Sequence, residues 1–553
     1  MGKYSIGLDF GTLSARAIVV DVENGNTMAT SVVGYQDAVI EKVLPGTSIS
    51  VPDEFALQNP QDYIDALESL LSDVWKKAKI QSEDIIGIGV ASTSSTVICL
   101  NENYQPLCFD EKYKNNPHSW IKLWKHHGAQ EEADMINDMV NIENGKLLEY
   151  YGGKTNSENF FAKILETARK APEVYDAAYR FMEIADWIVY LLTGNDVRNS
   201  CMAGYKAFWS KEKECALHNI LSKLSPRFEN VLSKLTKDVA MIGGKAGGLT
   251  KEMSQKVCIP EGVAVSLGNA DGHLAVPAVG VTKPNTMVLV MGTSISHMIL
   301  SDKAVGIPGI CGVVEDGIIP GFFGYEAGQS AAGDIFDWFV SKIAPYEFMQ
   351  QAIEKNVTIF EVLDAKAGKI QAGKSGILAL DWWNGNRSTL GDAKLSGVLL
   401  GLKINTSSEE IYKALIESTA FGTRLIIEMF ENYGVPVKSI VACGGLSQKS
   451  SVVMQTFSDI LHKPIKVSAV SQTTALGAAM YGAVAAGAAN NGYDSIIQAA
   501  LRMSKLEDKE YRPNSANVEI YNKLYNNYKS LYNLLGKNYN SIMWDLNAIH
   551  VNN

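Results

Sequence analysis

One acidic residue has the setting of a group that takes a proton from a hydroxyl. Asp271 follows the apolar residues 263–267 and lies between Gly268 and Gly272. Because glycine has no side chain, a loop of this composition leaves space for a ligand beside the carboxylate. The spacing therefore predicts a loop that presents Asp271 as a general base.

Two short turns combine a glycine with hydroxyl side chains. Apolar residues 287–291 are typical of a buried strand and are followed by Gly292-Thr293-Ser294. The same order opens the chain, where apolar residues 4–8 precede Gly11-Thr12-Leu13-Ser14. One such turn alone favours the interpretation of a plain connection between strands. Its repetition indicates two related halves, each offering N–H groups and hydroxyls to one phosphate chain.

Length and charge limit the architecture and the partners. A chain of 553 residues is too long for one hydrophobic core and predicts two large domains. Its net charge of −10 argues against a surface that binds nucleic acid. With 46% hydrophobic and 20% charged residues, the composition is that of an ordinary soluble globular protein. We therefore expect small anionic ligands to be bound locally.

The cysteines and the apolar segments give no sign of secretion or of a membrane span. The seven cysteines are odd in number and lack Cys-x-x-Cys spacing, so we expect reduced, mostly buried thiols. They are Cys99, Cys108, Cys201, Cys215, Cys258, Cys311 and Cys443. The longest apolar stretch, residues 475–489, is too short to cross a membrane, and no signal peptide is recognised. The prediction is a cytoplasmic enzyme with no membrane partner.

Alternating strands and helices predict an α/β architecture. A helix with apolar residues at helical spacing begins at Asn59-Pro60, and residues 85–90 form the next buried strand. The polar run 91–96, which includes Ser94, follows this strand at its carboxyl end, where open α/β sheets bind ligands. A plain polar loop stays an equal alternative for this run.

Three further stretches place polar groups among aromatic or small residues. Lys206 lies in an aromatic run, where a lysine either extends along an apolar surface or presents a cation to a ligand. Glu326 lies in residues 324–330, whose small side chains let a ligand approach. Residues 381–387 mix aromatic and polar groups, which is typical of sugar sites and also of loops packed under tryptophan.

A pair of glycines connects a strand to a helix in the second half of the chain. Residues 440–442 form a short strand that ends at Gly444-Gly445, and a helix is predicted over 452–461. Two glycines in this position let a flat base or ribose lie on the backbone. A helix of small residues beginning at Ala475 is expected to pack beneath this nucleotide floor.

The middle and the end of the chain add two organisational features. Residues 259–262 form a turn that is a predicted domain border. Apolar residues at steps of three and four between 518 and 535 predict an amphipathic helix. This helix packs against a domain or a neighbouring subunit, so a homodimer is left open.

Taken together, these segments resemble the FGGY family of carbohydrate kinases over essentially the whole chain. The segments occur in the family's order and spacing in both halves. They are residues 7–12, 57–63, 123–127, 204–206, 292–294, 324–330, 380–382, 444–446 and 475–479. The resemblance implies the α/β fold of sugar kinases, heat-shock ATPases and actin. In that fold two ribonuclease H-like halves, predicted here as residues 1–260 and 261–553, enclose a cleft.

The resemblance also assigns roles to residues. Asp271 corresponds to the catalytic base and, with Asp9, to the carboxylates near Mg²⁺. Lys206, Glu326 and Asp271 correspond to groups that contact the sugar, and Ser94 is predicted to join them. The predicted nucleotide-binding residues are Gly11, Thr12, Ser14, Arg16, Gly292, Thr293, Ser294, Gly444, Gly445 and Gln448.

The implied reaction is ATP- and Mg²⁺-dependent phosphorylation of a ketopentose at its terminal hydroxyl. Within the family the chain is most similar to members that convert L-ribulose to L-ribulose 5-phosphate in L-arabinose catabolism. Positioning and charge stabilisation supply most of the catalysis in such transfers. Another pentulose or polyol, such as D-ribulose, L-xylulose or ribitol, is an alternative substrate. An actin-like or chaperone ATPase is a distant alternative, because it would share the turns but lack the Asp271 loop.

One residue departs from the family pattern. Ribulose-specific members usually carry Asp after the strand where this chain has Ala91. Alanine cannot hydrogen-bond a sugar hydroxyl, so either a neighbouring residue such as Ser92, Thr93 or Ser94 does so, or the pocket accepts other sugars. The departure concerns the substrate more than the reaction.

Overall fold

The computed structural model describes residues 2–144, 146–212, 214–215 and 217–552. Two large β-sheets organise this part of the chain, and they are called the first and the second sheet below. The residues that form each sheet, with the elements between them, are the first and the second half of the protein.

The first sheet is built around the strand that opens the chain. Tyr4–Phe10 pairs antiparallel with Ser14–Asp21 and parallel with Ile85–Ser92. In order across the sheet, the six strands are Lys245–Gly248, Ala264–Ala270, Ile85–Ser92, Tyr4–Phe10, Ser14–Asp21 and Thr27–Gly34. The strands predicted at residues 4–8 and 85–90 are confirmed, each extended by two residues.

The second sheet repeats this arrangement. Thr286–Met291 pairs antiparallel with Ile295–Ser301 and parallel with Ser439–Cys443. In order, its seven strands are Gly312–Glu315, Phe323–Gln329, Ile295–Ser301, Thr286–Met291, Ser439–Cys443, Ile465–Ser468 and Leu506–Tyr511. Each sheet thus has an antiparallel hairpin at its centre, a third antiparallel strand on one side and two parallel strands on the other. The prediction of two related α/β halves is confirmed.

Smaller sheets and helices surround the two large sheets. A four-stranded sheet contains Leu57–Gln58, Ile121–Lys122, Val97–Leu100 and Arg180–Glu183. Two-stranded sheets pair Trp209–Ser210 with Glu214–Cys215, Val239–Ala240 with Arg198–Asn199, and Leu378–Leu380 with Val398–Leu400. Their strands lie mostly in segments inserted between the strands of the large sheets.

The helices cover the faces of the sheets and form the inserted segments. In the first half they are Pro60–Lys77, Gln130–Asn144, Phe160–Lys170, Pro172–Ala177, Ile184–Thr193, Ser200–Ala207, His218–Leu224, Lys251–Val257 and Asp271–Ala278. Those that follow are Gly333–Lys342, Tyr346–Lys355, Ile359–Ala367, Ser408–Asn432, Gly445–Lys449, Ser451–Leu461, Thr473–Ala486, Ile496–Met503, Ser515–Asn533 and Ser541–Asn552. None of the helices in the described residues is both long and apolar enough to cross a membrane.

The first of these helices shows how local sequence sets an element. The side chain of Asn59 accepts a hydrogen bond from the backbone N–H of Gln61, which caps Pro60–Lys77 at its start. Proline suits the first helical position because its missing N–H would have no partner there. Tyr63, Leu67 and their neighbours at helical spacing are buried, as the sequence predicts.

A helix from the second half packs directly on the first sheet. Thr473–Ala486 consists mainly of small residues, and Ser5 donates a hydrogen bond of 2.7 Å to the carbonyl oxygen of Ala479. A β-carbon on Gly7 would lie 1.8 Å from one carbonyl oxygen of this helix, and one on Gly89 1.7 Å from another. The predicted helix is confirmed. Its backbone lies on the glycines of the first sheet, and its first residues also pack in an apolar cluster with Cys443, the residue before the glycine pair at 444–445.

The predicted amphipathic helix near the end of the chain is Ser515–Asn533. It buries Tyr521, Tyr525, Tyr528 and Tyr532, which pack around Phe421 and Trp382 of the second half. Their hydroxyls have polar partners, such as Glu417 for Tyr521 at 2.9 Å and Asp381 for Tyr528 at 2.9 Å. The helix therefore packs against a domain of its own chain, which is one of the two alternatives predicted for its apolar face.

One prediction about chain organisation differs from the structure, and another stays a prediction. Asp271 is the first residue of the helix Asp271–Ala278, and Gly268 lies inside the strand Ala264–Ala270, so the predicted loop is a strand-to-helix junction. The predicted domain border at residue 260 stays unconfirmed. The strand that follows it pairs in parallel with Ile85–Ser92 in the first sheet, which favours a border beyond Ala278.

The cysteine side chains that the structure describes are free thiols. Cys99, Cys108, Cys201 and Cys443 are buried, Cys311 is partly buried and Cys258 is exposed. The side chain of Cys215 lies outside the described residues.

The contact between the first sheet and the helix Thr473–Ala486 predicts the effect of one added methyl group. Gly89→Ala should lower the free energy of unfolding by about 1–3 kcal/mol, because its β-carbon would overlap a backbone carbonyl that cannot rotate away. Denaturant titration followed by circular dichroism measures this change. Gly34→Ala is the matched control, since a β-carbon there would meet no atom within 4 Å. Equal stabilities of the two variants would contradict the proposed contact.

Candidate active site

One cavity of about 280 Å³ is lined by residues of both halves. Seven of the residues predicted from the sequence line it: Thr12, Ser94, Lys206, Asp271, Thr293, Ser294 and Glu326. The cavity therefore brings together hydroxyls from both glycine turns, the predicted base and the predicted sugar-binding pair. The convergence of these residues from distant parts of the chain makes this cavity the candidate active site.

The two glycine turns have similar closed geometries. In the first turn, the N–H of Gly11 donates to the carbonyl oxygen of Ser14 at 3.0 Å, and in the second, the N–H of Gly292 donates to the carbonyl oxygen of Ser294 at 2.9 Å. Each turn joins the central hairpin of its sheet. The repeat seen in the sequence is thus a repeat in structure, and both threonines face one cavity.

Neighbouring groups hold each turn in place. The indole N–H of Trp124 donates to the hydroxyl of Thr12 at 3.1 Å, and the Gln58 side chain donates to the carbonyl oxygen of Thr12 at 2.8 Å. The second turn is held by the start of the helix Gly333–Lys342, where the N–H of Ala332 donates to the carbonyl oxygen of Thr293 at 2.7 Å. Backbone positions near the cavity are therefore fixed before a ligand binds.

Two carboxylates from different strand ends, Asp9 and Asp271, have raised pKa values, and the charge of Asp271 contributes to the shift of Asp9. Burial raises the pKa of Asp271, and a 2.7 Å hydrogen bond from the N–H of Gly272 opposes this. Burial, and then the charge of Asp271, raise the pKa of Asp9 to about 7, while Arg16 lowers it. The guanidinium of Arg16 lies 3.9 Å from Asp9. A raised pKa makes a carboxylate a stronger base, which suits Asp271 to removing a proton from a hydroxyl.

The same pair meets the requirements of a magnesium site. Mg²⁺ usually keeps several waters and is held by one or two carboxylates together with substrate phosphates. The negative charge of Asp271 raises the pKa of Asp9, and a cation bound between them would relieve this repulsion. In the part of the chain that the structure describes, no three His, Cys, Asp or Glu side chains form a metal cage. The residues present therefore fit a cation that arrives with a phosphate ligand.

A partly buried ion pair also lines the cavity. The ammonium group of Lys206 lies 3.8 Å from Glu326, and the imidazole of His273 lies 3.3 Å from the same carboxylate oxygen. Burial alone would raise the pKa of Glu326, but Lys206 and His273 hold it well below its usual value. The sulfur of Cys201 lies 3.0 Å from the other nitrogen of His273. Glu326 is therefore a fixed negative charge that can accept hydrogen bonds from a polyhydroxyl ligand.

The remaining predicted nucleotide residues lie outside the lining of this cavity. Gly444 has a left-handed backbone, with φ of 91°, and packs on the end of the strand Thr286–Met291. A β-carbon on Gly445 would meet no atom within 4 Å, so its surface is open. The side chain of Gln448 donates to the carbonyl oxygen of Ser468 at 3.0 Å. Gly11, Ser14, Arg16 and Gly292 also lie outside the lining, in the hairpins that carry the turns.

Several lining residues carried no predicted role. Thr93 directly precedes Ser94, Trp124 and Arg387 lie in segments already noted in the sequence, and Glu158 lies in a stretch without regular structure before the helix Phe160–Lys170. Arg387 could have been found in the sequence from its position in residues 381–387, the segment that mixes aromatic and polar groups. Nothing in the local sequence distinguishes Glu158 from a surface acid.

The departure at Ala91 lies away from the cavity. Ala91 is fully buried and packs in an apolar cluster with Cys201, Met202 and Leu274. Thr93 and Ser94, which follow it, do line the cavity. A neighbouring hydroxyl as the sugar contact stays a prediction, as does a pocket that accepts other sugars.

Comparison with known proteins agrees with the geometry of the site. The N-terminal and C-terminal domain models of the FGGY family of carbohydrate kinases match residues 4–278 and 287–486. A ribulokinase of Halalkalibacterium halodurans is 48% identical over 548 residues, covering 99% of this chain and 97% of that protein. A ribulokinase of Bacillus licheniformis is 47% identical over 529 residues, covering 96% of each chain.

Solved structures show the same fold at lower sequence identity. The xylulose kinase from Rhodospirillum rubrum has a TM-score of 0.78 at 21% identity, covering 97% of this chain and all of that one. The gluconate kinase from Lactobacillus acidophilus has a TM-score of 0.78 at 21% identity, covering 98% of this chain and all of that one. The two-domain sugar kinase fold is confirmed. Since both domain models match and together span most of its length, the chain belongs to the FGGY family of carbohydrate kinases.

Proposed function

We propose that the protein transfers the γ-phosphoryl group of ATP to the terminal hydroxyl of L-ribulose, giving L-ribulose 5-phosphate and ADP. The observation that carries this proposal is the single cavity in which Asp271, both hydroxyl-bearing turns and the Lys206–Glu326 pair meet. Relatives that match this chain over nearly their full length are named ribulokinase, which supports the choice of sugar. We infer a place in the use of L-arabinose from the same substrate.

The proposed chemistry is one proton transfer and one in-line displacement. Asp271 accepts the proton of the terminal hydroxyl as the sugar oxygen forms a bond to the γ-phosphorus. The bond between that phosphorus and the bridging oxygen of ADP breaks, and its electron pair leaves with ADP. The raised pKa of Asp271 favours the proton transfer. Because charge spreads over the equatorial phosphate oxygens, N–H groups and hydroxyls placed around them stabilise the transition state.

Residues of both halves would hold ATP. The turns at Gly11–Ser14 and Gly292–Ser294 would surround the phosphate oxygens, Thr12 and Thr293 acting from opposite halves. The open backbone at Gly444 and Gly445 would receive the adenosine, with Gln448 beside it and Arg16 near the phosphates. Asp9 and Asp271 would hold Mg²⁺. When bound, this ion neutralises phosphate charge and leaves the protein residues to orient the sugar and move the proton.

The sugar would lie between the ion pair and the hydroxyls of the first half. Glu326 is ionised and can accept hydrogen bonds from two sugar hydroxyls, while Lys206 donates to another. Ser94 and Thr93, which also line the cavity, would add hydroxyls. A cavity of about 280 Å³ fits a five-carbon sugar and the end of a triphosphate. Polar groups left unpaired by a wrong isomer would oppose its binding.

The substrate proposal is tested by a panel of acceptors with ADP release coupled to a dehydrogenase assay. We expect the largest kcat/KM for L-ribulose, compared with D-ribulose, L-xylulose and ribitol. A higher kcat/KM for one of the other sugars would show that this sugar, and not L-ribulose, is the preferred substrate. ADP release that no sugar stimulates would contradict the kinase proposal itself.

Removing the proposed base should affect turnover more than binding. Asp271→Asn should lower kcat by about 10²-fold or more, because the amide cannot accept the proton, while sugar binding measured by calorimetry changes little. The control is Asp302→Asn, which changes an exposed carboxylate outside the cavity. Turnover near that of the unmodified protein would exclude Asp271 as the base.

Substitutions at Ala91 and Ser94 separate the two explanations of the family departure. Since Ala91 faces an apolar cluster, Ala91→Asp should leave the ranking of the four sugars unchanged. Ser94→Ala should raise KM for the preferred sugar by about tenfold through loss of a hydrogen bond in the cavity. Steady-state kinetics with each sugar measures both. A shift of kcat/KM toward L-ribulose in Ala91→Asp would mean that position 91 reaches the sugar.

A further inference from the structure

An arginine in the cavity wall has no part in the reaction described above. Arg387 closes the aromatic and polar segment 381–387, and it reaches from the second half to the first. Its guanidinium donates a 2.9 Å hydrogen bond to the carboxylate of Glu158, and the two side chains are 19% and 22% exposed. An ion pair of this length and burial is more than a solvated surface contact.

The same guanidinium also contacts a residue that holds the first glycine turn. The centre of the Arg387 guanidinium lies 5.7 Å from the ring centre of Trp124. The indole N–H of Trp124 donates to the hydroxyl of Thr12 at 3.1 Å. A continuous series of contacts therefore links Arg387, through the ring of Trp124, to the hydroxyl of Thr12 at the predicted phosphate site.

Arg387 is fixed to the strand that carries the sugar-binding glutamate. The N–H of Ser388 donates to the carbonyl oxygen of Gly328, and the N–H of Gly328 donates to the hydroxyl of Ser388, both at 3.1 Å. Gly328 lies two residues after Glu326 in the strand Phe323–Gln329. A movement of this strand relative to the first half would therefore move Arg387 with it.

Glu158 is tied to the sugar side of the first half. The hydroxyl of Ser95, next to Ser94, donates a hydrogen bond to the carbonyl oxygen of Glu158. Asn159 then caps the helix Phe160–Lys170. Burial raises the pKa of Glu158, but the charges of Arg387, Lys206 and His127 together lower it below its usual value. Both partners of the ion pair are thus anchored to walls of the cavity that belong to different halves.

We propose that Arg387 is a positioning residue that couples closure of the sugar cleft to the placement of Thr12. When the halves close on the sugar, Arg387 pairs with Glu158 and packs on Trp124, and Trp124 then holds Thr12 toward the phosphates. The ion pair forms part of the cavity wall, so breaking it opens the wall to water. This inference rests on the proposed kinase function and adds how the sugar and phosphate sites act together.

A direct contact between Arg387 and the sugar is the competing account. It would raise KM for the sugar without involving Trp124. Coupling through Trp124 instead predicts that the kinetic effects of substitutions at Arg387 and Trp124 are not additive, because each substitution breaks the same series of contacts. The two accounts therefore differ in a double-mutant cycle.

The experiment uses the full chain with Arg387→Met, Trp124→Phe and the double variant. Methionine removes the charge and keeps the length of the side chain, while phenylalanine keeps an aromatic face and removes the N–H that binds Thr12. For each variant, kcat and KM are measured for L-ribulose and ATP, together with ADP release in the absence of sugar.

The matched control is Arg180→Met. Arg180 forms an ion pair of the same length, 2.9 Å, with Asp196, and these side chains are 14% and 19% exposed. Its guanidinium also lies over an aromatic ring, that of Tyr179, at 4.1 Å. This pair lies within the first half and away from the cavity. If Arg180→Met and Arg387→Met have equal melting temperatures, a difference between their kinetics does not result from a difference in stability.

We expect Arg387→Met to lower kcat/KM for the sugar by about 10- to 100-fold, the range for losing a hydrogen bond to a charged group. ADP release without sugar should rise relative to sugar phosphorylation, because water enters the cleft. Trp124→Phe should have a smaller effect in the Arg387→Met background than in the unmodified protein. Arg180→Met should stay within about twofold of the unmodified protein.

Three outcomes would overturn the inference. Arg387→Met kinetics equal to those of Arg180→Met would show that the ion pair has no role in turnover. Additive effects of Arg387→Met and Trp124→Phe would favour a direct sugar contact. An unmodified protein that phosphorylates none of the sugars would contradict the proposed function and this inference with it, whereas normal activity with an unaffected Arg387→Met variant contradicts this inference alone.

Discussion

The direct contact of a helix backbone with a sheet backbone joins the two halves of this protein. Thr473–Ala486 follows a strand of the second sheet, yet its carbonyl oxygens lie on Gly7 and Gly89 of the first. Because no side chain separates the two backbones, the distance between the halves at this point is fixed by van der Waals contact. Thr12, Thr293 and Asp271, which line the cavity, belong to the two halves that this contact holds together.

Much of the fold follows from local sequence signals that agree with tertiary structure. The repeated strand, glycine turn and strand predicted two related halves, and the two sheets have the same strand order around their central hairpins. Asn59 and Pro60 predicted the start of a helix, which the capping hydrogen bond explains. The tyrosines between 521 and 532 predicted a packed amphipathic helix. In each case the pattern reflects burial of one face, which is a local property of the element.

The sequence did not predict the features that arise where distant segments of the chain come into contact. Glu158 is an acid in an irregular stretch, and only its approach to Arg387 of the other half gives it a place in the site. Ala91 was singled out by its position after a strand, but the direction of its side chain toward the apolar cluster depends on the register of the sheet. The helix of small residues was recognised, while its contact with the glycines of the first sheet was not, since small residues suit any close backbone partner.

The late position of the helix Thr473–Ala486 in the chain also has a consequence for synthesis on the ribosome. The strands of the first sheet are complete once residue 270 has been made, but the helix that covers their glycines begins only at residue 473. At elongation rates of about 5–20 residues per second, this leaves the sheet face bare for roughly 10–40 s. During that interval the nascent first half exposes a flat surface of backbone and small side chains that no segment of its own yet covers. Until that helix is made, this surface is accessible to a chaperone or a neighbouring nascent chain, so translation speed between residues 270 and 473 sets how long the growing chain is open to misassembly.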